Sequence, residues 1–376
     1  MGAPLSARVL RLGPGAPYRR IVGVGGVGTG VFFALEGNHD LGRNESRPAR
    51  LLDVRDYCKL HIIAHYPAVL LGARGEAGPF HVLPVGKVGE DETGRRLRAE
   101  MEAAGMDVRF VEPSPGHPTL LSVCFQYPDG AGGNITTVDS AASQVADRDV
   151  DRAEPWLTAR TIALAAPEVP LAVRRHLLMR AGEKGALRAA SLTTAEVEEA
   201  RATGMLSLVD VLALNEDEAA GLAGEPWPKS DPGRFLDRCA SVLREAQPAM
   251  RVVITAGPLG AFGFDGAGWS HVPALAVPIA STAGAGDALL GALLAGLAAG
   301  LPFATPSSES LRQRPLESAL DLGALAAAFK VTSPHTIPPG FSVGSLRAFA
   351  RDRGVGFAGS VAPLLAGGAL EESDDR

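Results

Sequence analysis

The chain has 376 residues, of which 46% are hydrophobic and 21% charged, and it carries a formal net charge of -6. This composition is typical of a globular protein with a substantial core, and it excludes a largely disordered chain. The acidic balance argues against a general nucleic-acid-binding protein and against binding to acidic membranes, so we expect neither nucleic acid nor membrane as a partner.

Cysteines and apolar segments indicate the compartment. Cys58, Cys124 and Cys239 lie far apart without a CxxC pair, which predicts neither a disulfide framework nor a zinc ribbon. The N-terminus has no basic-then-apolar signal pattern. The apolar run Ala288–Leu301 is too short and too glycine-rich for a membrane span and indicates a buried helix. We therefore expect a cytoplasmic location.

Residues 1–18 are rich in Gly, Pro and Arg, and we interpret them as a flexible leader. A strand is predicted over Arg20–Val24, and Gly23–Gly28 matches GxGxxG, the fingerprint of dinucleotide-binding proteins. That fingerprint needs a helix next, whereas Val31–Leu35 is more typical of a strand. An NAD-dependent oxidoreductase therefore stays only as a minor alternative.

Tyr57–Leu71 is predicted to be a helix that carries Lys59, His61 and His65. The two histidines are four residues apart and share a helix face, so they could bind a metal ion. The helix offers no third ligand at helical spacing. Ordinary surface or core histidines are the favoured interpretation.

From Phe80 onward strands and helices alternate, which predicts an α/β fold: a mainly parallel central sheet with helices on both faces. Strands are predicted over Asp107–Val111, Thr161–Ala165, Leu187–Ser191, Ser207–Leu214 and Arg251–Ala256, and helices over Glu92–Ala104, 171–181, 195–203 and 232–246. Leu121–Tyr127 and Ile135–Val138 predict a hairpin, which is either a small β-lid or an ordinary edge hairpin. We expect one domain over residues 19–355, with lid elements near 30–50 and 119–140, and a C-terminal tail over 356–376.

The turn Ser281–Asp287 leads directly into the long apolar helix. The free N–H groups of a first helical turn can bind an anion, and Gly284 and Gly286 allow the backbone to approach it closely. Asp287 beside them could accept the proton of an alcohol while the N–H groups stabilise a transferred phosphoryl group. An ordinary helix start with glycine turns is the alternative.

Polar residues follow other predicted strands, where ligands bind in doubly wound sheets. Asn215 and Glu218 could supply oxygen ligands to Mg²⁺, or cap their own helix, and the two roles are compatible. Gly257–Ala261 forms a glycine turn that would let the backbone approach a nucleotide, and Glu168 follows another strand.

In this order, the motifs resemble those of the ribokinase-like (PfkB-type) carbohydrate kinases. TAGAGD at Thr282–Asp287 is similar to the family's DTTGAGD signature, and NxxE at Asn215–Glu218 and TxGxxG at Thr255–Gly260 occur in the family's order. Val85–Leu97 resembles its GxVGxDxxG segment, and Ala324–Pro334 resembles its C-terminal helix beside the nucleotide. The resemblance spans about residues 20–340.

The resemblance implies an ATP-dependent kinase. Asp287 would be the base, with the backbone of Gly284, Ala285 and Gly286 as the anion hole. Asn215 and Glu218 would hold Mg²⁺, and Thr255, Gly257 and Gly260 would contact ATP. The hairpin and Val31–Leu35 would cover the substrate and could form a homodimer contact. The acceptor would be a small molecule with a hydroxyl group, such as a sugar.

Departures from the family fall mainly on the acceptor side. Gly30 stands where sugar kinases of the family have Asp, and Lys59–His65 replaces a GGxxxN stretch. Ser281 replaces the first Asp of the signature, which argues against the monovalent-cation activation of some members. We interpret Gly30, Asn38, Lys59, His61 and Glu168 as acceptor-side residues. Asn38, Lys59 and His61 belong to a polar set that could bind an altered, even anionic, acceptor, and an ordinary loop or surface position is the alternative for each member. That set also contains His39, Arg43, Asn44, Glu45 and Arg47.

Two function classes lead after this comparison, and the NAD-dependent oxidoreductase stays as the less favoured third. The leading hypothesis is a phosphotransferase that uses ATP and Mg²⁺ and phosphorylates a sugar or a sugar-like molecule. The other is a kinase-fold protein that binds a nucleotide or metabolite without useful catalysis. The altered acceptor side favours the second, whereas the intact Asp287 argues for the first, because a pure binding protein needs no base.

Overall fold

A computed structural model describes residues 9–129, 132–228 and 230–365. The strands are β1 (Arg20–Val24), β2 (Gly28–Leu35), β3 (Ala49–Leu52), β4 (His81–Val88), β5 (Phe110–Pro113), β6 (Leu120–Gln126), β7 (Gly132–Thr136), β8 (Thr161–Ala165), β9 (Leu187–Ser191), β10 (Val211–Asn215), β11 (Arg251–Thr255), β12 (Ala261–Phe264) and β13 (Trp269–Val272). The helices are α1 (Lys59–Leu71), α2 (Glu92–Ala103), α3 (Asp147–Ala153), α4 (Leu171–Glu183), α5 (Val197–Ala202), α6 (Glu216–Ala223), α7 (Gly233–Ala246), α8 (Ala285–Ala298), α9 (Ala319–Val331), α10 (Val343–Asp352) and α11 (Ala362–Leu365).

Nine strands form the large sheet, in the order β13-β12-β11-β10-β9-β8-β1-β4-β5. The strands from β11 to β5 pair in parallel, and β12 and β13 extend the sheet antiparallel at one edge. Alternate residues of each strand face opposite layers. Ile21 of β1 packs in the layer of α1, α8 and α9, whereas Val22 packs in the layer of α3 and α4. The predicted parallel sheet with helices on both faces is confirmed.

The small sheet has the strand order β3-β2-β6-β7 and branches from the large sheet directly after β1. Because β2 follows β1 without a helix, the dinucleotide fingerprint over Gly23–Gly28 lacks the element that it needs, and that interpretation is wrong. The predicted hairpin is β6 and β7, and β2 pairs with β6 in parallel.

Several predicted boundaries are wrong. The strand expected over Asp107–Val111 begins three residues later, at Phe110. The one expected from Ser207 begins at Val211, because Met205–Leu208 forms a 3-10 turn that Gly204 starts with a left-handed φ of 68°. The antiparallel strands β12 and β13 were not predicted.

The chain is packed beyond the predicted domain limits of 19 and 355. Leu10, in the predicted flexible leader, is buried, and its amide donates to the carbonyl of Leu70 at 2.7 Å. Val361, in the predicted tail, is buried in the same core as α10. Residues 1–8 and 366–376 lie outside the described part of the chain. None of the described helices has both the length and the apolar character needed to cross a membrane.

Helix α8 is apolar on all sides and lies between α1 and α9. Helices α1 and α8 are so close at Gly291 that a Cβ atom there would lie 2.4 Å from the carbonyl oxygen of Ile63. We predict that Gly291→Ala lowers the free energy of unfolding by about 1–3 kcal/mol, because neighbouring backbone must move.

The matched control is Gly221→Ala in α6, where a Cβ would meet Val197 at an ordinary 3.7 Å. This change should stabilise the protein by up to about 1 kcal/mol, since alanine is the better helix former. Chemical denaturation of both variants measures the difference. Equal stability of the two would contradict the close packing of α1 on α8.

Candidate functional site

A cavity of about 790 Å³ lies at the carboxyl ends of the central strands. Asn215 ends β10 and Thr255 ends β11, and the parallel pairing brings these two residues side by side. The N-terminal turn of α8 forms the opposite wall. The cavity is lined by Lys59, Asn215, Glu218, Thr255, Gly257, Gly260, Gly284, Ala285, Gly286 and Asp287, together with apolar residues of α9. The structure therefore joins ten of the predicted site residues in one space.

The turn before α8 presents free backbone amide groups at one corner of the cavity. Gly284 is the N-cap of α8 with a left-handed φ of 78°, and a Cβ there would lie 3.2 Å from Thr336. The amide of Ala285 donates to the carbonyl of Thr282 at 3.1 Å, so that amide is already engaged. The amides of Gly284, Gly286 and Asp287 donate to no described backbone group. These amides are free to bind an anion.

Asp287, in the first turn of α8, forms an ion pair with Lys59, the first residue of α1. Lys59 Nζ lies 3.7 Å from Asp287 Oδ1, and the carboxylate is 13% exposed. Asp287, followed by Glu168 and Glu218, keeps the pKa of Lys59 above its usual value despite burial. The corner thus contains one fixed positive charge among three carboxylates.

Glu168 occupies an unusual backbone position after β8. Its φ of 74° is left-handed, which costs a residue with a side chain about 1–3 kcal/mol. Its Oε2 accepts a hydrogen bond from the amide of Lys59 at 3.0 Å. A Cβ on Gly26 would lie only 2.5 Å from Glu168, so glycine is needed there. Burial raises the pKa of Glu168 to about 7.

Asn215 and Glu218 form a reciprocal cap at the start of α6. The amide of Asn215 donates to Glu218 Oε2, and the amide of Glu218 donates to Asn215 Oδ1, both at 2.8 Å. Burial raises the pKa of Glu218 to about 7. Each oxygen keeps a further lone pair, and oxygen atoms suit Mg²⁺, so the residues fit such an ion held through water.

A tight turn after β11 shapes the cavity beside α8. Gly260 has a φ of 98°, and its carbonyl accepts from the amide of Ala256 at 2.8 Å. A Cβ on Gly260 would lie 2.1 Å from the carbonyl oxygen of Val272, so glycine is required. Thr255 lies across from α8: a Cβ on Gly286 would be 3.6 Å from its Oγ1.

Asp56, whose carboxyl group interacts electrostatically with Asp287, is a candidate site residue that the sequence did not reveal. A Cβ atom on Gly30 would lie 2.1 Å from Asp56 Oδ2, so the Asp56 carboxylate fills the space above that glycine. Thr29 Oγ1 donates to the carbonyl of Asp56 at 2.8 Å and ties the segment to β2. Burial raises the pKa of Asp56 to about 6, opposed by Thr336 and the amide of Tyr57. The only hint in the sequence was the glycine at position 30.

Two predicted acceptor-side residues lie elsewhere. His61 is 1% exposed and packs on the Tyr57 ring, and burial lowers its pKa to about 3, so it is a neutral core residue. No group of three or more metal-binding side chains occurs among the described residues, which removes the metal interpretation of the histidine pair.

Asn38 lies past the end of β2, where its Oδ1 accepts from the amide of Asp129 at 3.1 Å. At about 3.3 Å per strand residue, this end of the small sheet is roughly 17 Å from Gly30. The neighbouring His39, Glu45 and Arg47 hydrogen-bond to one another at that same exposed end. Asn38 and this polar set are therefore not placed at the acceptor side.

Comparison with known proteins gives a consistent result. The family model described as pfkB family carbohydrate kinase matches residues 70–341, which is more than half of the chain. The bifunctional protein HldE of Methylobacillus flagellatus is 25% identical over 264 residues, 67% of this chain but only 49% of that relative. The chain thus spans about half the length of this curated relative.

Solved structures show the same fold at low identity. A ribokinase from Cryptococcus neoformans in complex with ADP has a TM-score of 0.63 at 20% identity, over 88% of this chain and 99% of that one. An adenosine kinase from Sinorhizobium meliloti has a TM-score of 0.64 at 20% identity, over 90% of this chain and 99% of that one. Because the family model matches residues 70–341, which is most of this chain, the chain belongs to the pfkB family of carbohydrate kinases.

Proposed function

We propose that this protein is an ATP-dependent kinase that transfers the γ-phosphoryl group to a hydroxyl group of a sugar or a sugar-like small molecule. The observation that carries the proposal is the position of Asp287, whose carboxylate lies beside the amides of Gly284 and Gly286 at one end of the cavity. A base and an anion site are thereby adjacent, as transfer of a phosphoryl group to an alcohol requires.

In this proposal Asp287 accepts the proton of the acceptor hydroxyl group while the hydroxyl oxygen attacks the γ-phosphorus of ATP and ADP leaves. The amides of Gly284 and Gly286, at the positive end of the α8 dipole, stabilise the charge on the transferred group. The ammonium of Lys59, which contacts Asp287 at 3.7 Å, adds a positive charge at the same point. Mg²⁺ held through Asn215 and Glu218 would neutralise phosphate charge.

The remainder of the cavity suits the nucleotide. Its walls away from Asp287 are apolar and come from the segment after β13 and from α9: Leu275, Val277, Ile279, Ala324, Ala327 and Val331. An adenine ring can lie between these two walls, with its phosphates at the turn Gly257–Gly260. The ADP complex of the structurally similar ribokinase supports a nucleotide of this kind.

The acceptor side combines the carboxylates of Asp56, Glu168 and Asp287 with one lysine, Lys59. This excess of oxygen atoms that accept hydrogen bonds favours a neutral compound with several hydroxyl groups over an anionic acceptor, because carboxylates accept hydrogen bonds from hydroxyl groups and repel anions.

One face of the small sheet is formed by the odd-numbered residues of its strands. It exposes Leu51, Leu121 and Ile135, which supports a homodimer contact there.

We place the protein in the cytoplasm because its three cysteines are free thiols.

The direct test is ADP formation from ATP with a panel of sugars, nucleosides and polyols. We expect acceptor-dependent ADP release with at least one neutral polyhydroxyl compound, and a phosphorylated product by mass spectrometry. Tight ATP binding without turnover across the whole panel would instead support the kinase-fold binding protein.

The role of Glu218 predicts a specific change in the Mg²⁺ requirement. Glu218→Gln keeps an oxygen that can cap the amide of Asn215, while it removes the negative charge. We expect the Mg²⁺ concentration for half-maximal activity to rise about 10–100-fold. A Mg²⁺ titration of activity measures this, with the exposed Glu225→Gln as control, and an unchanged titration curve would contradict the metal role.

A further inference from the structure

Lys330, in the last turn of α9, is a charged side chain with no exposed surface. Its ammonium donates to the carbonyl of Ser281 at 2.9 Å and to the carbonyl of Ser333 at 3.5 Å. Within the described residues it forms no ion pair, and the carboxylate that acts on it electrostatically is Asp56. Burying an ammonium group costs free energy unless carbonyl dipoles and nearby charges compensate for the lost hydration. The buried position of Lys330 therefore points to a role for its charge.

The partners of Lys330 belong to two segments that meet at the active site. Ser281 begins the turn that leads to Gly284 and Asp287, and the amides of Ala280 and Ser281 both donate to the carbonyl of Val331. Ser333 begins the short segment that ends at Thr336. The amide of Thr336 donates to the carbonyl of Arg55, next to Asp56, and Thr336 also packs against Gly284. Lys330 therefore joins the anion-binding turn to the segment that holds Asp56.

A free monovalent cation does not fit at this junction. The position that is Asp in the family signature is Ser281, so no carboxylate is supplied there, and its carbonyl already binds the Lys330 ammonium. An ammonium group carries the same single charge as such an ion, and here it binds the carbonyl oxygens of Ser281 and Ser333. Burial lowers the pKa of Lys330 to about 8, opposed by Asp56.

We propose that Lys330 is a built-in cation that positions the turn Ser281–Asp287 and makes this kinase independent of added monovalent ions. It is a positioning residue, because it contacts the carbonyl of Ser281 and does not itself line the cavity. The proposal rests on the proposed kinase function.

The test compares the wild-type protein with Lys330→Met in KCl and in tetramethylammonium chloride at equal ionic strength. We expect equal wild-type activity in the two salts. In Lys330→Met the turn loses its cation, and we expect kcat to fall about 100-fold in tetramethylammonium chloride and to recover in part with KCl. Lys184→Met, on the surface beside Glu154, is the control and should behave as wild type.

A second readout does not depend on turnover. KCl should raise the melting temperature of Lys330→Met, relative to tetramethylammonium chloride, and leave that of the wild type unchanged. Strong activation of the wild type by KCl would overturn the proposal, and so would a Lys330→Met variant with full kcat in both salts or with no response to KCl in either measurement. If no acceptor is phosphorylated by the wild type, the melting experiment still decides the role of Lys330.

Discussion

Replacing Asp287 by Asn is expected to lower kcat about 10³-fold, since a positioned general base contributes roughly 10²–10⁴-fold. Asparagine has the same shape and can still face Lys59, which lies 3.7 Å away, but it cannot take up the proton of the acceptor hydroxyl. ATP affinity should stay near that of the wild type, because the amides of Gly284 and Gly286 and the walls of the cavity are unchanged.

Steady-state ADP release and calorimetric titration of a non-hydrolysable ATP analogue measure the two quantities. Asp352→Asn, an exposed acid at the end of α10, serves as the matched control and should change neither. Turnover close to that of the wild type in Asp287→Asn would rule this residue out as the base. Loss of nucleotide binding would show that its role is structural.

Replacing Asp56 by Ala is expected to lower kcat/KM for the acceptor about 10²-fold, since hydrogen bonds to a charged group contribute roughly 1.5–3 kcal/mol each. The KM for ATP should be unaffected, because Asp56 lies above Gly30 on the acceptor side and not along the nucleotide walls. Steady-state kinetics with each substrate varied in turn separate the two effects. A normal acceptor KM and kcat would contradict the assignment.

The contact between Asp56 and Gly30 also allows a reciprocal exchange. Gly30→Asp alone should lower activity and stability, because its Cβ would lie 2.1 Å from Asp56 Oδ2 and would displace that carboxyl group. In the Asp56→Ala background the same change has room and returns a carboxylate to the site. We expect the double variant to exceed both single variants in kcat/KM, a strongly non-additive result. Thermal unfolding checks that each variant folds, and a double variant no better than Asp56→Ala would contradict the exchange.

The sequence alone indicated the elements whose signals are local. The turn at Gly284–Asp287, the cap formed by Asn215 and Glu218, and the turn at Gly257–Gly260 each depend on residues a few positions apart, on glycine conformations and on helix starts. These features compose the proposed phosphate side of the site. The alternation of strands and helices predicted the sheet because it too is a local pattern. One predicted strand start was wrong, because a 3-10 turn at Met205–Leu208 replaces the expected first residues of the strand.

Only the tertiary structure brought together the residues of the proposed acceptor side. Asp56 fills the space above Gly30, Lys59 reaches Asp287, and Lys330 reaches Ser281, 49 positions away in sequence. The predicted positions of His61 and Asn38 at the acceptor side were wrong. The phase of helix α1 directs His61 into the core, and the length of strand β2 carries Asn38 away from Gly30. Side chains that meet across separate elements leave no periodic or spacing signal, because their proximity results from packing of the whole core.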